Sequence, residues 1–212
     1  MKKNSLILLA FISLAAVFTS CEPEYYKPTN PKYEVGDLIT IDGVEAVVFF
    51  VSFDGEHGKA IAAKSEAALQ WSTAGTIVGA NSTTDGKFNQ NQVQKRPIVS
   101  GDDWRLLFPS FYATFNTAPH TLPIPAETLK VVKWYMPSVE EMKLIFEQFD
   151  IINAAIPNEI GYKKLRQNIR YWTSTEVDAI NAKVLTYNDG TITIESKMRT
   201  NNDAFYRAII DF

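Results

Sequence analysis

Trp134-Tyr135-Met136-Pro137-Ser138-Val139-Glu140-Glu141-Met142 is the stretch on which the reading of this fold turns. It runs from an aromatic segment into a helix start. Ser138 followed three residues later by Glu141 forms a capping-box pattern. The Ser138 hydroxyl accepts from the Glu141 amide, and the Glu141 carboxylate reaches back to the Ser138 amide. Val139, Met142, Phe146 and Phe149 then recur at helical spacing, so the helix lays one apolar stripe on a core. Pro157 marks its latest possible end.

Strands are predicted on both sides of this helix. Upstream, residues 38–41 read as a strand, and Asp42-Gly43 as a two-residue hairpin turn. Residues 44–53, rich in Val and Phe, read as a buried strand. The run Asp54-Gly55-Glu56-His57-Gly58 turns the chain again, and residues 59–63 follow as a third strand. The middle, residues 73–95, is rich in Gly, Ser, Thr, Asn and Gln, which favours loops and a short helix near residues 89–94. Prolines 109, 119, 123 and 125 keep the stretch after Trp104 from forming one long helix. Downstream, residues 182–187 and 191–195 read as strands joined by an Asn188-Asp189-Gly190 turn, and residues 205–212 as a last strand. Strands first, a helix between and strands last point to an α+β fold with mixed antiparallel strands and one or two helices, not a wound α/β sheet.

The N-terminus has a different character. Met1-Lys2-Lys3 is a positive segment, residues 6–18 are apolar, and Thr19-Ser20 lead to Cys21, the only cysteine. This is the layout of a secretory signal. The apolar run is shorter than the roughly 20 residues a membrane span needs. The layout resembles a bacterial lipoprotein signal, with Phe18 where the usual motif has leucine. That resemblance implies cleavage of residues 1–20 and lipidation of Cys21, which anchors the chain in a membrane. Glu22-Pro23-Glu24 resembles the surface-export signals of Bacteroidota lipoproteins, and the location it implies is the outer membrane or cell surface. Residues 21–35, with their prolines and tyrosines, read as an extended tether. Residues 36–212 read as one domain. The whole chain is 46% hydrophobic and 21% charged, values of a globular protein. A net charge of −3 and no basic stripe argue against nucleic acid as a partner.

A family resemblance adds to this reading. Trp134-Tyr135-Met136-Pro137-Ser138 with Glu141-Met142, then Tyr171-Trp172-Thr173-Ser174-Thr175-Glu176, then Asn188-Asp189-Gly190 and Arg207-Ala208-Ile209 stand in order. Upstream, Val48-Phe49-Phe50-Val51 precedes Gly55-Glu56-His57-Gly58. Together these motifs resemble the DUF1566 family across roughly residues 35–212, with a poor match over residues 95–133. The resemblance implies a C-type-lectin-like fold on a surface lipoprotein. The rings of Trp134, Tyr135 and Trp172 also have a plain structural reading as core filling with a bonded polar edge. Arg207, in an apolar strand, calls for a carboxylate partner, for which Glu176 is one candidate.

Signatures of chemistry are sparse. His57 lies in a glycine-rich turn and His120 among prolines, and no Gly-x-Ser-x-Gly elbow surrounds a serine. No HExxH or cysteine pair offers a zinc site. Asp102-Asp103 and Glu140-Glu141 are adjacent pairs, poorly placed to supply two catalytic carboxylates, and the second has its capping role. Lectin-like enzymes that generate formylglycine use cysteines, whereas calcium-dependent lectins use an acidic-Pro-Asn loop and a Trp-Asn-Asp strand. Ile156-Pro157-Asn158 lacks the acidic residue. The sequence therefore points to a non-enzymatic, lipid-anchored surface module for adhesion or ligand recognition, with no cofactor and no metal, its ligand a glycan or a protein. The other reading is a structural subunit of a surface appendage or envelope complex. By resemblance to lectin-like folds, the late loops carry the ligand surface: Val177, Asp178, Ile180, Asn181, Lys183, Met198, Arg199, Asn201 and Asn202.

Overall fold

A computed structural model describes residues 31–73, 75–96, 103–118 and 133–212. The signal-like leader, Cys21, Glu22-Pro23-Glu24, Asp102, His120 and prolines 119, 123 and 125 lie outside the described residues. So does most of the segment read as a tether, but Lys32 and Tyr33 both donate to Gly55 O, and the Tyr33 ring meets Phe212 edge-on at 4.7 Å.

The described residues form mostly sheet, with a few helices. The strands are β1 (Leu38–Ile41), β2 (Val44–Val51), β3 (Gly58–Ala68), β4 (Trp134–Tyr135), β5 (Arg170–Glu176), β6 (Asn181–Asn188), β7 (Thr191–Met198) and β8 (Phe205–Asp211). The helices are α1 (Gly86–Gln94), α2 (Trp104–Leu107), α3 (Pro109–Phe115), α4 (Val139–Glu147) and α5 (Phe149–Ala155). All eight strands join one sheet in the order β1-β2-β3-β8-β5-β6-β7. β4 shares with β5 the edge of β8 that faces away from β3: β5 meets it at Phe205, β4 at Ile209 and Ile210. Every pairing is antiparallel except that of β5 with β8.

Local sequence explains the elements. Asp42 and Gly43 both adopt positive φ, at 50° and 78°, as do Asp189 and Gly190, at 43° and 82°. A two-residue turn with both centres at positive φ matches the twist of the strands it joins. The capping box forms as the sequence predicts: Ser138 N donates to Glu141 Oε2 at 2.8 Å, and Glu141 N to Ser138 Oγ at 3.4 Å. Val139, Met142, Phe146 and Phe149 are all buried, although the helix breaks at Gln148 and resumes as α5. After Trp104 the chain makes two short helices, the second with Pro109 at its first turn, where a missing N–H costs nothing.

Alternation along the strands sends neighbouring side chains to opposite faces of the sheet. Tyr171 and Leu185 join the cluster under α4 and α5 with Val47, Phe49 and Ile61. Trp172 and Val184 join Trp71, Trp104, Phe108 and Phe111 under the other helices. The sheet is therefore covered on both faces. Trp172 has no exposed surface and its indole donates to Leu69 O at 2.8 Å, the structural role expected of it.

Two bulges shape the surface. In β3, Ile61 pairs with Ile209 and Glu66 with Arg207, so residues 62–65 stand opposite Ala208 alone. Arg207 fills the gap, donating to Ala62 O at 2.9 Å and Lys163 O at 2.8 Å. Its carboxylate neighbour is Glu66 at 3.5 Å, not Glu176 as the sequence suggests, because Glu176 lies at the far end of β5. In β5, residues 173–175 stand opposite Lys183 alone. Their buried polar groups bind surrounding loops: Ser174 N donates to Pro137 O, Thr175 Oγ1 to Ser82 O, and Asn89 Nδ2 to Ser174 Oγ.

The Glu66 carboxylate also accepts from the hydroxyl of Tyr171 at 2.9 Å. Burial, reinforced by the Glu66 charge, pushes that hydroxyl up to about 12. In the unfolded chain it titrates near ~10. Stability from this group is complete below the unfolded value and is lost as pH rises through the folded one. Tyr171→Phe is therefore expected to flatten the fall in unfolding free energy between about pH 10 and 12. Urea unfolding at stepped pH measures this, and equal slopes in the two proteins would contradict it.

Candidate functional site

The predicted ligand face is the turn joining β5 to β6 together with the end of β7. Asn181 pairs with Met198 across the two strands, and Arg199 N donates to Ile180 O at 2.9 Å, so the two segments form one surface. The turn is self-organised. Asp178 Oδ1 accepts from the amides of Ile180 and Asn181 at 2.7 and 2.8 Å, and both its oxygens accept from Asn181 Nδ2. The Asn181 carboxamide and these amides hold the Asp178 carboxyl below its usual range. Asp178 is thus an exposed anion already engaged in shaping its own loop.

Three of the predicted residues present apolar surface to solvent: Val177 at 43%, Ile180 at 56% and Met198 at 49% exposure. Ile77, at 67%, belongs to the same region. Its loop is stitched to the turn, since Val78 N and Gly79 N donate to the Glu176 carboxylate at 3.1 and 2.9 Å. Asn201 and Asn202 are exposed at the rim, whereas Asn181 and Lys183 are half-buried, Lys183 donating to Ser196 Oγ at 3.0 Å.

Arg199 departs from the expectation that it faces a ligand. It is fully buried, and its Nη1 donates to Glu176 Oε1 at 2.7 Å. Its Nη2 donates to Thr76 O, and the guanidinium sits over the Trp71 ring at 5.0 Å. One buried ion pair thus ties β5, β7 and the residue 75–80 loop beneath the exposed apolar side chains. A pair in this setting holds geometry more than it adds net stability, because two charges have been desolvated. Sequence reasoning missed Ile77, Trp71 and the Glu176–Arg199 pairing. The one available signal was Ile77-Val78, an isolated apolar pair in a stretch of small polar residues.

A second polar cluster lies where β3, β4, β8 and two helix starts meet. Lys59 Nζ donates to Asp211 Oδ1 at 2.6 Å, Tyr135 Oη at 2.8 Å and Glu141 Oε1 at 2.9 Å. Glu141 Oε2 also accepts from Gly86 N at 3.0 Å, at the start of α1. Gly86 is required there, because a Cβ would lie 2.4 Å from Met136 O. Burial lowers the Lys59 ammonium, but the Glu141 charge and the bonds to Asp211 and Glu141 outweigh it and hold it above its ordinary value. Burial likewise raises Asp211, and the bonds from Lys59 and Tyr135 bring it below its ordinary value. Both groups stay charged, which makes this a structural clasp. Elsewhere, His57 is exposed in its turn and paired with Asp54 at 2.6 Å, and Asp103 caps α2 and pairs with Arg105. Among the described residues no three His, Cys, Asp or Glu side chains gather as a metal-binding group, and no helix is long and apolar enough to cross a membrane.

No family model and no curated protein matches the chain. Among solved structures it is similar to a fimbrial protein from Bacteroides ovatus, at 18% identity and a TM-score of 0.47. The match covers 73% of this chain and 36% of that one, so this chain spans about a third of that protein's length.

Proposed function

We propose that this protein is a surface-displayed binding module that recognises a protein ligand through the patch formed by Ile77, Val177, Ile180 and Met198. The observation that carries the reading is the exposure of these four apolar side chains on loops held from below by the buried Glu176–Arg199 pair. Exposed apolar side chains gathered on neighbouring segments of this kind mark interaction sites, and binding residues concentrate on loops fixed to a rigid scaffold. The aliphatic character of the patch favours a protein over a glycan as its partner. Lipid attachment through Cys21 would hold the module at the outer membrane or cell surface. A lectin-like fold agrees with the antiparallel pairing of an early strand, β3, with the last strand, β8. The role is recognition, with no catalytic step.

The test is a screen of the purified protein against matrix proteins and glycans, with and without EDTA. Binding to a protein ligand that survives EDTA is expected. Ile180→Asp with Met198→Asp is expected to weaken it about 10-fold or more, as loss of central apolar contacts does, with an unchanged thermal melt. Binding that is untouched by the double variant, or abolished by EDTA, would sink the proposal.

A structural role in a surface assembly has its own support in β7. Among the described residues this eight-residue strand pairs only on its β6 side, leaving a row of backbone groups open to another strand. Stable self-association in solution would favour that reading.

A further inference from the structure

The bulge in β3 opens a cleft of about 420 Å³, lined by Val44, Lys64, Ser65, Ala113, Thr117 and Tyr206 among others. That volume falls within the range of small-molecule sites, ~300–1,000 Å³. Bulges recur beside binding sites because they re-aim side chains, and here the bulged residues include Ser65.

The hydroxyl groups of the cleft bond to one another. Thr117 Oγ1 lies 3.4 Å from Ala113 O. Ser65 Oγ lies 3.1 Å from Thr117 Oγ1 and 3.1 Å from Tyr206 Oη. Each hydroxyl carries one proton. With the Thr117 proton directed to that carbonyl, Ser65 donates to Thr117 and Tyr206 to Ser65; with it directed to Ser65, Ser65 donates to Tyr206, whose own proton is then free. In either arrangement the three oxygens keep lone pairs open to a donor. Such a group suits a ligand whose hydroxyls both donate and accept.

Charge narrows the class. Lys64 bonds to the Glu45 carboxylate and lies over the Tyr162 ring at 4.3 Å. Glu66, also in the lining, accepts from Arg166 at 2.8 Å and Tyr171 at 2.9 Å. The charged side chains of the cleft are therefore already paired and exert little pull on an ion. Val44 and Ala113 supply apolar wall, and Asn116, at the rim, makes no side-chain hydrogen bond among the described residues.

We propose that this cleft is a binding site for a neutral polyol, either a free sugar or the terminal unit of a glycan. It lies on β3 and α3, away from the residues of the apolar patch, and stands independently of the function proposed for that patch.

Saturation-transfer NMR on the purified protein tests it, with glucose, galactose, mannose, myo-inositol and their methyl ethers or glycosides as probes, and phosphate and acetate in competition. Transfer to at least one neutral probe is expected, unaffected by either anion. Methyl glycosides that bind as well as free sugars would indicate a glycan terminus, and loss on methylation a free sugar; either pattern supports the site. Thr117→Val removes one acceptor, and Asn116→Trp, at an exposed position, blocks the mouth without touching the core. Each is expected to reduce the transfer signal at least fivefold while the circular dichroism melt stays unchanged. No transfer to any neutral probe, displacement by phosphate or acetate, or full signal in both variants would overturn the proposal.

Discussion

Arg199→Met is expected to lower the unfolding free energy by about 3–5 kcal/mol, because it leaves the Glu176 carboxylate buried without its counter-charge. In a domain of this size that is a fall in melting midpoint of roughly 10 °C or more. The two side chains are 0% and 4% exposed, so solvent screens little of the loss. Glu176 would keep its bonds from Val78 and Gly79, but Thr76 O would lose its donor and Trp71 its stacked guanidinium. The double variant Arg199→Met with Glu176→Gln tests the cause. It removes the stranded charge, so it is expected to recover part of the loss, a coupling of the size seen for residues in contact. Urea unfolding of the four proteins closes the cycle. A single variant within about 1 kcal/mol of the parent would show that the pair does not carry the scaffold of the patch.

Glu141→Ala is expected to cost about 2–4 kcal/mol. Loss of a helix cap accounts for ~1 kcal/mol, and donors left unsatisfied in a buried site for roughly 1–3 more. The donors are Ser138 N, Gly86 N and the half-buried Lys59 ammonium, so one truncation loosens α4, α1 and β3 together. Glu141→Gln keeps the shape and one acceptor, and about half the loss is expected from it. Denaturant midpoints at constant m-value measure both. A cost for the alanine variant no larger than the cap alone would mean that Lys59, Tyr135 and Asp211 close the clasp without Glu141.

The elements that sequence reveals well are those decided locally. Asp42-Gly43 and Asp189-Gly190 specify their turns by backbone preference, and Ser138 with Glu141 specifies the start of α4 by hydrogen bonding at short range. The resemblance to lectin-like folds singled out the turn after Glu176 and the end of β7, and the structure brings these two segments together, with Val177, Ile180 and Met198 exposed. What was hidden depends on partners far along the chain. Arg199 looked like a loop cation, and only the approach of Glu176, 23 residues away, and of the residue 75–80 loop buries it. Arg207 was read as needing a carboxylate, but the bulge in β3 that brings Glu66 to it has no local signature. The hydroxyl chain of Ser65, Thr117 and Tyr206 draws on three separate segments and is invisible as a motif.

The position of β8 has a kinetic consequence. It lies between β3 on one side and β4 and β5 on the other, although it is the last strand in chain order. The meanders β1–β3 and β5–β7 are local and can close on the ~1–10 μs scale of hairpins. Joining them waits for residues 205–211, whose contacts reach as far back as Lys59, 152 positions away. Closure at such separation must precede its energetic return, which places folding in the slow, high-contact-order regime. Until then β3 and β5 each show an open edge. A chain halted before residue 205 would lack the strand that pairs with both half-sheets, leaving them joined only by contacts such as Trp172 Nε1 to Leu69 O and Tyr171 Oη to Glu66, and the open edges of β3 and β5 would favour aggregation.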